Sequence, residues 1–108
     1  MTDAVAIREA QLIGEGDWLA SGEICRLCRL ELEAVVELAD LGLIRPRGPA
    51  PPQQWQLPAA ALPRLALVGR LMHDLGINVS GAALAVELLE AQRDLERRIR
   101  RLEQLMHP

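Results

Sequence analysis

Two cysteines three residues apart, Cys25-Arg-Leu-Cys28, are the first residues of this chain whose types and spacing could do chemistry. A CxxC unit can supply half of a tetrahedral zinc site or a redox-active dithiol. Zinc would need about two further ligands. The chain has no third cysteine, and its two histidines, His73 and His107, lie far apart. A thioredoxin-like dithiol would need a βαβ setting, which the surrounding pattern lacks. On a helix the i, i+3 spacing puts both thiols on one face, so the expected role is two small core side chains. Ser21 and Ser80 each stand where a helix begins and suit capping better than nucleophilic attack. No glycine-rich phosphate loop occurs. These residues imply no catalytic site, no metal and no cofactor, and so a binding protein rather than an enzyme.

The second constellation is electrostatic. Glu33, Glu37 and Asp40 recur at i, i+4 and i+7, with Glu23 and Glu31 nearby. The net charge of the chain is −3, yet the charges are segregated. Residues 1–42 carry nine acids and three bases; the remainder carries six acids and nine bases, and every base is arginine. A globally acidic chain has no field to draw it onto nucleic acid.

These side chains must be positioned by helices. Half of the 108 residues are apolar, and the only aromatic side chains are two tryptophans. The core is therefore Leu, Val, Ile and Ala, a helix-favouring set. One domain with a modest core is the expectation at this length. No segment has the pattern of a signal peptide or the roughly 18 apolar residues of a membrane span, so a cytoplasmic, reducing setting is expected.

Residues 4–13 show a loose alternation compatible with a short edge strand or extended arm, and 14–17 read as a turn. A short helix over 21–28 is capped by Ser21. After a corner at Arg29, a second helix runs over 31–41, with Leu32, Val35, Val36 and Ala39 on its apolar face and Gly42 ending it. Two short helices about a tight corner predict a helix-turn-helix. Residues 43–47 and 54–57 flank a Gly/Pro-rich tip and read as a β-hairpin wing. A helix follows over 58–75, with Asn78 and Ser80 marking a corner and a cap.

The final segment, Gly81 to about Met106, carries Ala85, Leu88, Gln92, Leu95, Ile99, Leu102 and Met106 at alternating spacings of three and four. That is a coiled-coil seam, on a helix of roughly 39 Å. It is too long for a domain of this size to cover, so a homodimer, parallel or antiparallel, is expected. Leu84, Leu89 and Leu105 widen the stripe toward the chain's own globular part. Asp94–Arg98 and Glu96–Arg100 are helix-supporting pairs. The organisation expected is a winged helix-turn-helix domain with an N-terminal arm over 1–78 and a dimerisation helix over 79–108.

A groove-reading helix needs cations on its outer side. Here the outer stripe is acidic, and phosphate neutralisation dominates DNA affinity. Arg26, Arg29, Arg45 and Arg47 could offer some contacts, but the best-placed face has the wrong sign. The stripe suits a basic protein surface; a merely solvated acidic face is the plain alternative.

In this order the elements resemble the MerR-type winged helix: mainly α, with a small wing and a long C-terminal dimerisation helix. The tightest marker is ELADLGLIRPR, Glu37–Arg47. DNA binders of that type usually carry Arg and Tyr where this chain has Val36, Glu37 and Leu38. Their wing usually holds an Arg flanked by Tyr, against Gln53-Gln54-Trp55-Gln56-Leu57 here. The chain more closely resembles the CbpM chaperone-modulator branch. That resemblance rests on GEIC at 22–25, LGLIRP at 41–46, Trp55, the Arg70–Leu75 stretch, GAALAVELL at 81–89 and the His107-Pro108 ending. It implies binding to the J-domain of a DnaJ-like co-chaperone of the CbpA type, which stops that co-chaperone from stimulating a DnaK-type chaperone. J-domains present a basic helix, so the acidic residues named above become the partner-binding set. A MerR-like DNA-binding regulator and a dimeric adaptor for some other protein are the competing expectations.

Overall fold

The structure, a computed structural model, describes residues 16–107. The arm expected over 4–13 lies outside them. Strand β1 (Trp18–Ala20) leads into α1 (Ser21–Cys28), and Arg29 turns the chain with a left-handed φ of 57°. Helix α2 (Leu32–Asp40) follows. Beyond a loop lie β2 (Gln56–Pro58), α3 (Leu62–Leu75) and α4 (Val79–Met106).

The ends of these helices follow from single residues. Gly42, at φ 81°, donates to the Ala39 carbonyl at 3.0 Å, while Leu43 N–H reaches the Leu38 carbonyl at 3.0 Å. This pairing closes the last carbonyls of α2 and stacks Leu43 on Leu38, both buried. Pro63 sits in the first turn of α3, where its missing N–H costs nothing. Asn78 caps α4 by accepting from Gly81 N–H at 2.8 Å, so the helix begins at Val79, two residues before the expected start.

The wing differs from the expected hairpin. β2 pairs antiparallel with β1, with Leu19 opposite Leu57, and forms no continuous ladder with residues 43–47. The segment before the tip joins β2 only at Arg47, which exchanges both backbone hydrogen bonds with Gln56 at 2.9 and 2.8 Å. Pro46, Pro49, Pro51 and Pro52 supply no backbone donors, so no longer ladder can form. Ser21 is not the cap of α1; that position is Ala20, which makes no side-chain cap. The fully buried Ser21 hydroxyl donates instead to the carbonyls of Pro52 at 2.9 Å and Gln53 at 3.3 Å, pinning the wing to the helix. The Arg47 guanidinium lies 3.7 Å over the Trp18 ring.

One core unites these elements. Ile24, Val35, Leu38, Leu57, Leu65 and Val68 are fully buried in it. Helix α4 joins with Ala82, Ala83 and Val86, and Val79 packs against the core from the helix start. The closest packing is between α1 and α3, where a Cβ on Gly69 would overlap the Cys28 carbonyl oxygen. No helix among the described residues is long and apolar enough to cross a membrane. Gly69→Ala should cost about 1–3 kcal/mol, the usual range for overpacking, and the obstruction here is backbone. Thermal unfolding should show a fall of at least ~5 °C; an unchanged midpoint would refute the tight α1–α3 contact.

Candidate protein-docking surface

Helix α2 turns Val35 and Leu38 into the core, which leaves Glu33, Glu37 and Asp40 on its exposed side. Among the described residues, no arginine pairs with any of these three. Glu37 Oε2 accepts from the Ser80 hydroxyl at 3.1 Å, a neutral contact that orients the carboxylate without cancelling it. The arrangement is locally unfavourable. Glu33 and Glu37 are like charges at i, i+4, and Asp40 sits at the helix end that favours cations.

Glu31, Glu33 and Glu37 meet along one wall of a groove of about 340 Å³. Leu30, Ala34, Met72 and Val79 form its apolar floor. His73 closes one end, its Nε2–H donating to the Arg29 carbonyl at 2.8 Å. The residues from α3 and α4 were not visible in the sequence pattern, because only the fold brings them to α2. Glu23 and Asp40 do not line this groove. Glu23 is bound by Arg26 at 2.6 Å, a hydrogen bond that holds its carboxyl below the usual range and offsets its charge locally.

The seam on α4 is exposed. Leu88, Leu95, Ile99, Leu102 and Met106 all retain more than half of their accessible surface, Ala85 is half-buried and Gln92 is exposed. The contact of α4 with its own domain is made by Ala82, Ala83 and Val86, and of the expected Leu84, Leu89 and Leu105 only Leu89, at the α3–α4 cleft, takes part. Of those three only Leu89 is partly covered, because the other two lie off the inward face. Asp94 meets Arg98 at 3.2 Å as expected. Glu96 accepts from Gln92 at 3.2 Å, where a pair with Arg100 was expected.

The comparisons with known proteins agree with the fold. Residues 19–104 match the family model described as MerR HTH family regulatory protein. The chaperone modulatory proteins CbpM of three Coxiella burnetii strains, Dugway 5J108-111, RSA 331 / Henzerling II and CbuG_Q212, are each 33% identical over 81 residues, covering 75% of this chain and 76% of the relative. No solved structure matches the chain. The fold is thus a MerR-like winged helix-turn-helix whose exposed second helix is acidic. Within that superfamily the chain belongs to the CbpM family of chaperone modulatory proteins. The matched families are a modulator and a group of regulators, not enzymes.

The CxxC pair occupies the end of α1. Cys28 is buried, with Sγ 4.0 Å from the Leu62 carbonyl, and Cys25 is half-buried. No group of three metal-ligating side chains occurs among the described residues. Burial, and then the charges of Glu31 and Glu33, push the Cys25 thiol above its ordinary value. The folded chain therefore holds this proton more tightly than the unfolded chain does. Its stabilising effect is full below the unfolded thiol pKa and is lost as pH rises through the folded one. Iodoacetamide should alkylate Cys25 more slowly than a free cysteine at neutral pH, accelerating only at higher pH. Glu31→Gln with Glu33→Gln should move that profile to lower pH; a profile like that of a free thiol would contradict the assignment.

Proposed function

We propose that this chain is a cytoplasmic chaperone modulator. It binds the J-domain of a DnaJ-like co-chaperone of the CbpA type through the acidic side of α2, and so blocks stimulation of a DnaK-type chaperone. The observation that carries this reading is the exposed set Glu33, Glu37 and Asp40, which no arginine among the described residues neutralises. Its local cost to the helix is recovered only when a cationic surface covers it. A J-domain offers such a surface on its basic helix, and opposite potentials steer the encounter and exclude wrong partners. Inhibition is occlusion: one basic helix cannot hold this chain and a DnaK-type chaperone together. Glu31 flanks the contact, and Glu23, tied to Arg26, contributes least.

The working unit is a homodimer paired along α4. A stripe of leucines exposed to this degree is unfavourable in water, and heptad spacing is what a second identical helix would cover. The family model's description favours one further reading, a DNA-binding regulator. The sign of the α2 stripe opposes it, since duplex DNA would meet carboxylates first.

Glu37→Arg with Asp40→Arg should weaken J-domain affinity at least about tenfold in titration calorimetry while leaving the oligomeric state unchanged. Unchanged affinity would remove α2 from the interface, and a mobility shift with genomic DNA fragments would support the regulator instead. Leu95→Asp buries an unpaired charge in the seam. Sedimentation should then report monomer; a dimer that persists places the contact elsewhere.

A further inference from the structure

Helix α4 carries a second patterned face. Ala82, Ala83 and Val86 point into the core. The same face continues outward as Glu90, Arg93, Arg97, Arg100, Arg101 and Gln104, again at spacings of three and four. Past the edge of the domain, the buried face of the helix becomes a cationic stripe. The exposed leucine seam lies on the other side: Leu88, Leu95 and Ile99 are each two residues on from Val86, Arg93 and Arg97, a rotation of about 200°. A copy paired along the seam leaves the arginines open.

The stripe is costly to the isolated helix. Arg93–Arg97 and Arg97–Arg101 are like charges at i, i+4, each unfavourable by roughly 0.2–0.5 kcal/mol. Little offsets this. Asp94, at the edge of the same face, reaches Arg97 at 3.8 Å and Arg98 at 3.2 Å, and the other acid on the face, Glu90, is taken by Arg64 through bonds of 2.9 and 2.8 Å. At the root of the stripe, α3 and α4 enclose a cleft of about 340 Å³. Ala60, Ala61, Pro63, Leu67, Val86 and Leu89 give it apolar walls, and the paired Arg64 and Glu90 line it together with Arg93.

We propose that this corner is a second docking site, which takes an acidic peptide segment of a partner protein. One apolar side chain fills the cleft, and carboxylates one turn apart pair with Arg93, Arg97 and Arg100. Guanidinium forks suit carboxylates and phosphates alike, but two observations favour a peptide. The walls of the cleft formed by Ala61, Pro63, Leu67, Val86 and Leu89 suit an apolar side chain, which a nucleic-acid backbone lacks. No tryptophan stands near the stripe to stack a base, since Trp18 and Trp55 both belong to the β1–wing side of the domain, and the stripe's aromatic neighbour is the single imidazole of His107 at the helix end. The site is independent of the acidic side of α2 and uses the opposite charge.

Fluorescence anisotropy on the full-length protein tests this with a labelled synthetic peptide of glutamates around one central leucine. Two control peptides replace every glutamate with lysine or the leucine with serine, and a fourth probe is labelled single-stranded DNA. The Glu/Leu peptide should bind, weaken as salt rises, and outbind both control peptides. Arg97→Glu with Arg100→Glu should lower its affinity at least tenfold while J-domain binding stays unchanged. Ala61→Phe, which fills the cleft without changing charge, should lower affinity and leave the salt dependence intact; melting curves check that both variants fold. Equal binding of the lysine peptide, or affinity retained in the double arginine variant, overturns the proposal. So does single-stranded DNA that binds more tightly and displaces the peptide, which would make the stripe a nucleic-acid surface.

Discussion

The contact of Gly69 with the Cys28 carbonyl sets the geometry from which the acidic groove beside α2 follows. With no side chain at position 69, the backbone at the end of α1 rests on the backbone of α3. The left-handed turn at Arg29 begins from that fixed point, and His73, one turn along α3, holds the Arg29 carbonyl at 2.8 Å. The start of α2 is thereby fixed against α3. Only then do Glu31, Glu33 and Glu37 stand over Met72 and Val79 as one groove wall. A larger residue at 69 would shift α1 and, with it, the direction in which the carboxylates face.

Much of this was readable from residue spacing. The apolar positions of α2 and α3 recur at helical period, Gly42 and Asn78 mark ends, and the α4 seam repeats over several turns, so local sequence settles these elements. β1 was not readable. Three residues, Trp18–Ala20, carry no period, and their partner lies nearly forty positions along. The same separation hid the role of Ser21, whose hydroxyl serves carbonyls 31 and 32 residues away in place of its own helix end. The wing misled for a related reason: two extended pieces flanking a turn look like mutual partners, yet the prolines between them leave β2 to pair with β1. At the groove the acidic stripe was visible as spacing, whereas Met72, His73 and Val79 join it only through tertiary packing.

The architecture is shared with a family described as regulatory proteins, and the architecture alone does not choose the partner. Val35 and Leu38 keep the inward half of α2 apolar, and the outward half is free to change sign without disturbing the core. Charge on an exposed helix face is among the cheapest properties for a fold to alter, since burial and capping are untouched.

Helix α4 also has a mechanical consequence. Its 28 residues form one uninterrupted rod of roughly 42 Å, capped by Asn78 and free of proline and of any break. Two chains joined along that rod would hold their globular heads at a set distance and relative orientation, as a caliper holds its jaws. Ligands tethered to each other at a matching span would be gripped by both heads at once. The rebinding of the second would be governed by local rather than bulk concentration, an avidity that depends on rod length and not on the strength of either contact.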